Sequence, residues 1–158
     1  MDLTDPTLII FAKLTIASFL GVLVGIERVA AGKGAGMRTF AMVSMGSCLF
    51  VIVGIEASRQ YLGIVNFDPT RVLASIVQGI GFLGAGLIIM REDHVFGLTT
   101  AAALWTAAAI GACVGFGLWA IAVFATVLTL FIFTALWFFE ETIRRWTADG
   151  NQHSKSTL

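Results

Sequence analysis

Few residues in this chain could do chemistry, and most of them cluster at the edges of apolar runs. Glycines 79, 81 and 84 within GIGFLGAG (79–86) match the G-x-G-x-x-G spacing that seats a dinucleotide's pyrophosphate at a helix N-terminus. That chemistry needs a strand before the glycines and a helix after them, whereas apolar helix-like sequence lies on both sides here, so the match is rejected. Gln78 stands immediately before these glycines, and an amide in hydrocarbon must find a partner, so an interhelical hydrogen bond is expected. In DPTR (68–71), Asp68 reads as a helix cap and Pro69 as the first helical residue, leaving Arg71 at the rim for a salt bridge, a lipid phosphate or an anion. At the opposite rim Glu27 and Arg28 close one apolar run and Arg38 opens the next, with Glu27 placed to neutralise either arginine. The loop between them, AAGKGAG, lacks the spacing and the preceding strand of a phosphate-binding loop. Arg91, Glu92, Asp93 and His94 read as a solvated turn, not a metal site. Neither His94 nor His153 lies in an apolar run, so no buried nucleophile–base pair can be built, and no catalytic residue, metal site or cofactor is expected.

These residues must be held by elements that live in lipid. Of 158 residues, 58% are hydrophobic and 13% charged, too few charges to coat a soluble core of this size. Net charge is zero, which excludes the electrostatic footprint of a nucleic-acid binder. Five runs reach the roughly 20 residues that cross a bilayer, approximately Leu8 to Ile26, Thr39 to Ile55, Arg71 to Met90, Leu98 to Gly115 and Leu118 to Phe139. The expected fold is therefore an all-α bundle of five transmembrane helices over 1–147, with 148–158 a polar, disordered cytoplasmic tail. An N-terminus outside leaves seven Lys and Arg on the inner side (Arg28, Lys33, Arg38, Arg91, Arg144, Arg145, Lys155) against Lys13, Arg59 and Arg71 outside, so the N-out, C-in arrangement is expected. Lys13 should snorkel to the outer interface. Trp119 and Trp137 read as interfacial anchors, and Trp146 as one at or beyond the inner interface. Cys48 and Cys113 read as small packing residues.

Glycine in a membrane helix lets backbones approach closely. Ala103, Ala107, Gly111 and Gly115 recur every four residues in the fourth run, and Gly21 and Gly25 do so in the first. These faces pack the bundle or an oligomer. The glycines of the third run could alternatively loosen that helix at mid-membrane and free carbonyls to line a path.

Three stretches, RTFAMVSMGSCLF, DPTRVLASIVQGIGFLGAG and GLTTAAALWTAAAIGACVG, resemble the membrane domain of the MgtC/SapB family in order and spacing, over nearly the whole chain. The resemblance implies a multi-pass protein of the bacterial inner membrane with five spans and a periplasmic N-terminus, close to the short SapB-like members without a cytoplasmic C-terminal domain. It further implies a link to magnesium limitation, acid stress and virulence through survival in phagocytes, and for some members inhibition of the F-type ATP synthase. The family-like positions are Arg38, Thr39, Asp68, Arg71, Gln78, Gly79, Gly81, Gly84, Gly86, Gly97, Thr99, Thr100 and Trp105. Many members carry Asn where this chain has Thr99, which puts any role needing an amide there in doubt.

Two functions compete. A non-enzymatic regulator would use its small-residue faces for contact with a membrane partner, and a homodimer would suit so thin a bundle. A transporter or channel for Mg²⁺ or another small ion would run between Asp68 and Glu27 past Gln78, Thr99 and Thr100, although no acidic residue falls in the central third of any span.

Overall fold

A computed structural model of the protein describes residues 5–61 and 68–155; the side chains of Arg91 and of 144–155, Trp146 among them, lie outside the description, as do residues 156–158 of the expected tail. Five helices long and apolar enough to cross a membrane make up the described chain: α1 (Pro6–Ala30), α2 (Met37–Gln60), α3 (Pro69–Leu87), α4 (Leu98–Phe116) and α5 (Trp119–Lys155). The shortest, α3 and α4, have 19 residues each, and at about 1.5 Å per residue that length just matches a hydrocarbon core of roughly 30 Å.

Three expectations change, two of them helix ends. The third helix stops at Leu87, not Met90, because Ile89–Arg91 and His94–Phe96 pair as a two-stranded antiparallel hairpin. The turn expected at Arg91 to His94 is the tip of that hairpin, closed by the pairing of Arg91 with His94. Second, α5 runs on to Lys155 where a disordered tail was expected; the segment has no proline, and Gly150 alone is a weak breaker. Third, α3 is continuous through Gly79, Gly81, Gly84 and Gly86, so the glycines do not break it and free no carbonyls.

Helix α4 occupies the centre, touching each of the other four. Its small-residue face explains why. A Cβ on Gly111 would lie 1.9 Å from the Ser44 carbonyl oxygen, and one on Gly115 would lie 2.7 Å from Val51 Cβ, so α2 and α4 cross backbone to backbone. The α1–α2 pair does the same at Gly21 and Gly25, where a Cβ would come within 2.5 Å of Phe40 O and Met37 Cα. These faces are used up inside the bundle, which removes them as surfaces for a partner. Both ends of α4 are fixed by left-handed glycines: Gly97 (φ 88°) precedes it, and Gly117 (φ 79°) follows it, letting Leu118 N–H donate to the Cys113 carbonyl at 2.8 Å. Lys13 does not simply reach for the interface. Its ammonium donates to the carbonyl of Gly115 at 2.9 Å, so a cation sits on the C-terminal end of α4, where the helix dipole favours it.

Burial is unequal: 61% of the α4 span is enclosed by the bundle against 11% of the α3 span. Helix α3 is fastened to α4 through Ile76, Ile80 and Gly84 and touches α2 only lightly.

Candidate functional site

The loose seating of α3 opens a groove toward α2. It encloses about 800 Å³ and is walled by Val43, Phe50, Val72, Ile80 and Leu83, with Gly46, Gly54 and Gly79 opening room between the two helices. Among the described residues its polar side chains are Ser47, Ser75 and Arg71. The Ser75 hydroxyl is spent on the carbonyl of Arg71 at 3.0 Å. Arg71 belongs to the first turn of α3 and lies at the end of the bundle where α1 begins.

Asp68 caps that turn, as its sequence predicts. One carboxylate oxygen accepts from Thr70 N–H at 2.9 Å and from the Thr70 hydroxyl at 2.6 Å. The Thr70 hydroxyl chiefly, then the Thr70 amide, hold the carboxyl below the usual carboxylate range against an opposing desolvation, with lesser help from the Arg71 amide and charge. Asp68 is thus an anion that caps the helix start through one of its two oxygens.

At the other end of the bundle Glu27 selects Arg28, not Arg38. The two form an ion pair, with the Arg28 side chain 5% exposed and that of Glu27 17%. Sequence neighbours on a helix diverge by about 100°, so both side chains must curl together at the last turn of α1. The Arg28 guanidinium also stacks on the ring of Phe133 from α5, 3.6 Å from its centroid. Nothing in the sequence paired Phe133 with Arg28. Arg38 and Thr39 are exposed in the first turn of α2 and make no hydrogen bond or ion pair through their side chains among the described residues.

The remaining positions do not converge. Gln78 is exposed, and the expected interhelical bond is not formed within the described chain. Its place on the outer face of α3 explains this, since the helix turns Ile76 and Ile80 inward. Gly79, Gly81 and Gly86 likewise face open space, and a Cβ on Gly84 would make only ordinary contact with Ala101. Thr100 is buried and Thr99 exposed at the start of α4. Trp105, 54% exposed, lines a second, smaller apolar groove between α3 and α4. Gly97 has a role the sequence reading did not foresee: besides its positive φ, a Cβ there would lie 2.1 Å from the Leu87 carbonyl. Ser44 was also missed; its hydroxyl is buried where α2 crosses α4 and has no partner among the described residues. Also among the described residues, no three His, Cys, Asp or Glu side chains gather as a metal site.

A family model described as the MgtC family matches residues 14–142, which overlaps all five spans and contains Glu27, Arg28, Asp68, Arg71 and the groove. The chain belongs to the MgtC family. This MgtC family chain is similar to the Escherichia coli K12 protein named "Putative magnesium transporter YhiD", at 38% identity over 92% of the chain and 67% of that protein. It is similar to Protein SapB of Bacillus subtilis, at 37% identity over 81% of the chain and 55% of SapB. Protein MgtC of Salmonella typhimurium LT2 is 41% identical over 75% of the chain and 48% of MgtC. The chain thus spans from 48% to 67% of the length of these relatives. No solved structure matches it. Fold and family together make it a multi-pass membrane protein.

Proposed function

We propose that this chain is a non-enzymatic regulator in the bacterial inner membrane, N-terminus periplasmic, acting in magnesium limitation, acid stress or intracellular survival through lateral contact with a membrane protein. The F-type ATP synthase is the first partner to test. The observation that carries this reading is the apolar groove between α2 and α3, open sideways to the membrane. Lipid tails are as apolar as leucine, so helices associate in a bilayer by close packing, which small residues permit. Gly46, Gly54 and Gly79 give the groove that character, and the small faces of α1 and α4 are already occupied.

The second reading, Mg²⁺ transport, is favoured by the printed name of the Escherichia coli relative. The groove suits it poorly. Mg²⁺ is held through one or two carboxylates and several waters, and the groove offers two hydroxyls and a guanidinium whose positive charge repels a dication.

Gly46→Leu and Gly79→Leu fill the groove, and a Cβ at either position meets nothing within 4 Å, so the fold should tolerate both. With the affinity-tagged chain in native membranes, the wild type is expected to retain ATP synthase subunits. The two variants should lose at least about tenfold of them and fail to support growth at low magnesium, at unchanged melting temperature. Equal recovery and equal growth for all three proteins would refute the docking groove.

A further inference from the structure

Gln78 is the middle residue of α3, nine positions from either end of Pro69–Leu87, and it faces away from the bundle. A carboxamide at that depth meets no water, and hydrocarbon offers it neither donor nor acceptor, so a lipid-facing Gln78 is costly until something pairs with it. At about 100° per residue, Ala74, Phe82 and Ala85 fall on the same stripe as Gln78, and Ile76 and Ile80 fall opposite. The stripe has small residues on either side of the amide, and Phe82, 80% exposed, stands one turn further on. Gln78 does not itself line the groove, whose Gly79 lies about 100° away around the helix, although the groove's Arg71 and Ser75 adjoin its stripe.

We infer that the outer face of α3 docks a second copy of this chain, with Gln78 of each copy pairing to Gln78 of the other. The choice of a second copy follows from symmetry and charge. Two copies inserted in the same direction and meeting through the same face are related by a two-fold axis along the membrane normal, so each residue on the axis-facing stripe meets its own equivalent at the same depth. A charged side chain meeting its own equivalent repels it. A carboxamide can pair with itself: the partial negative charge on Oε1 of one copy faces the partial positive charge on the Nε2 hydrogens of the other, twice. Ala74 and Ala85 let the backbones come near enough for that reach. Arg71 lies on the same side, but at the rim, where water screens it from its equivalent.

The test is disulfide trapping in native membranes. In a Cys48→Ala, Cys113→Ala background, Ala74→Cys places a thiol one turn from Gln78 on the same stripe, and Phe124→Cys, exposed on α5, serves as the control. Oxidation is expected to trap the Ala74→Cys chain as a dimer and leave the Phe124→Cys chain monomeric. Adding Gln78→Leu should weaken association about tenfold, read from dilution into excess lipid, while Gln78→Asn, which keeps a self-complementary amide, should retain most of it. No dimer from Ala74→Cys would overturn the inference, as would dimer yields unchanged by Gln78→Leu or lost equally with Leu and Asn. Because Gln78 lies outside the groove, its failure would be visible independently of partner binding by the Gly46 and Gly79 variants.

Discussion

Replacing Gly111 by alanine is expected to cost the bundle at least about 3 kcal/mol, the upper range for overpacking a core. The added methyl would stand 1.9 Å from the carbonyl oxygen of Ser44 and 2.8 Å from its Cα. Those are backbone atoms, so no rotamer change relieves the clash, and α2 and α4 must separate along the contact that organises the molecule. The same substitution at Gly79 should do the reverse. Its Cβ meets nothing within 4 Å, and replacing a helical glycine removes conformational freedom from the unfolded chain, worth roughly 0.5–1 kcal/mol in favour of folding. Thermal melts of both variants in one detergent check the pair. Equal melting temperatures for Gly111→Ala and Gly79→Ala would contradict the backbone contact between α2 and α4.

The second large effect is expected at Arg28. Its guanidinium is held by Glu27 on one side and the Phe133 ring on the other. Arg28→Ala removes the cation, leaves the largely buried Glu27 unpaired and opens space over Phe133. Breaking a buried pair on one side costs about 3–5 kcal/mol; the residual exposure of Glu27 at the bundle's end puts the expectation at about 3. The paired change Glu27→Gln with Arg28→Met should recover most of it, because removing both charges leaves none to be neutralised and methionine still covers the ring. Unfolding free energies of the two single variants and the double variant form the cycle that measures this coupling. A loss under about 0.5 kcal/mol for Arg28→Ala would mean that the pair is ornamental to the fold.

The five spans were legible in the sequence because the bilayer sets a length that composition alone must satisfy. The cap at Asp68 was legible for a similar reason: D-P-T-R fixes its hydrogen bonds within two residues. The small-residue spacing of α4 was equally visible, but what it touches was not. Gly111 meets Ser44, 67 positions away, and no local pattern names that neighbour. Arg28 and Phe133 are further apart still. Helix α3 misled for a different reason. Its polar side chains Arg71, Ser75 and Gln78 share one side, and a polar stripe within a membrane is expected to turn inward, so Gln78 was expected to bond within the bundle when Ile76, Ile80 and Gly84 hold that side. The hairpin over residues 89–96 was hidden because strands of three residues carry too little alternation to read.

The proposed role turns on whether the chain acts by contact or by conduction. Purified protein, shown to be helical, would be placed in liposomes loaded with a Mg²⁺ indicator beside the Asp68→Ala and Gln78→Leu variants. Regulation through the α2–α3 groove predicts no Mg²⁺ entry above empty liposomes for any of the three. Entry through the wild type that both variants abolish would contradict it and make the polar residues of α3 a transport path.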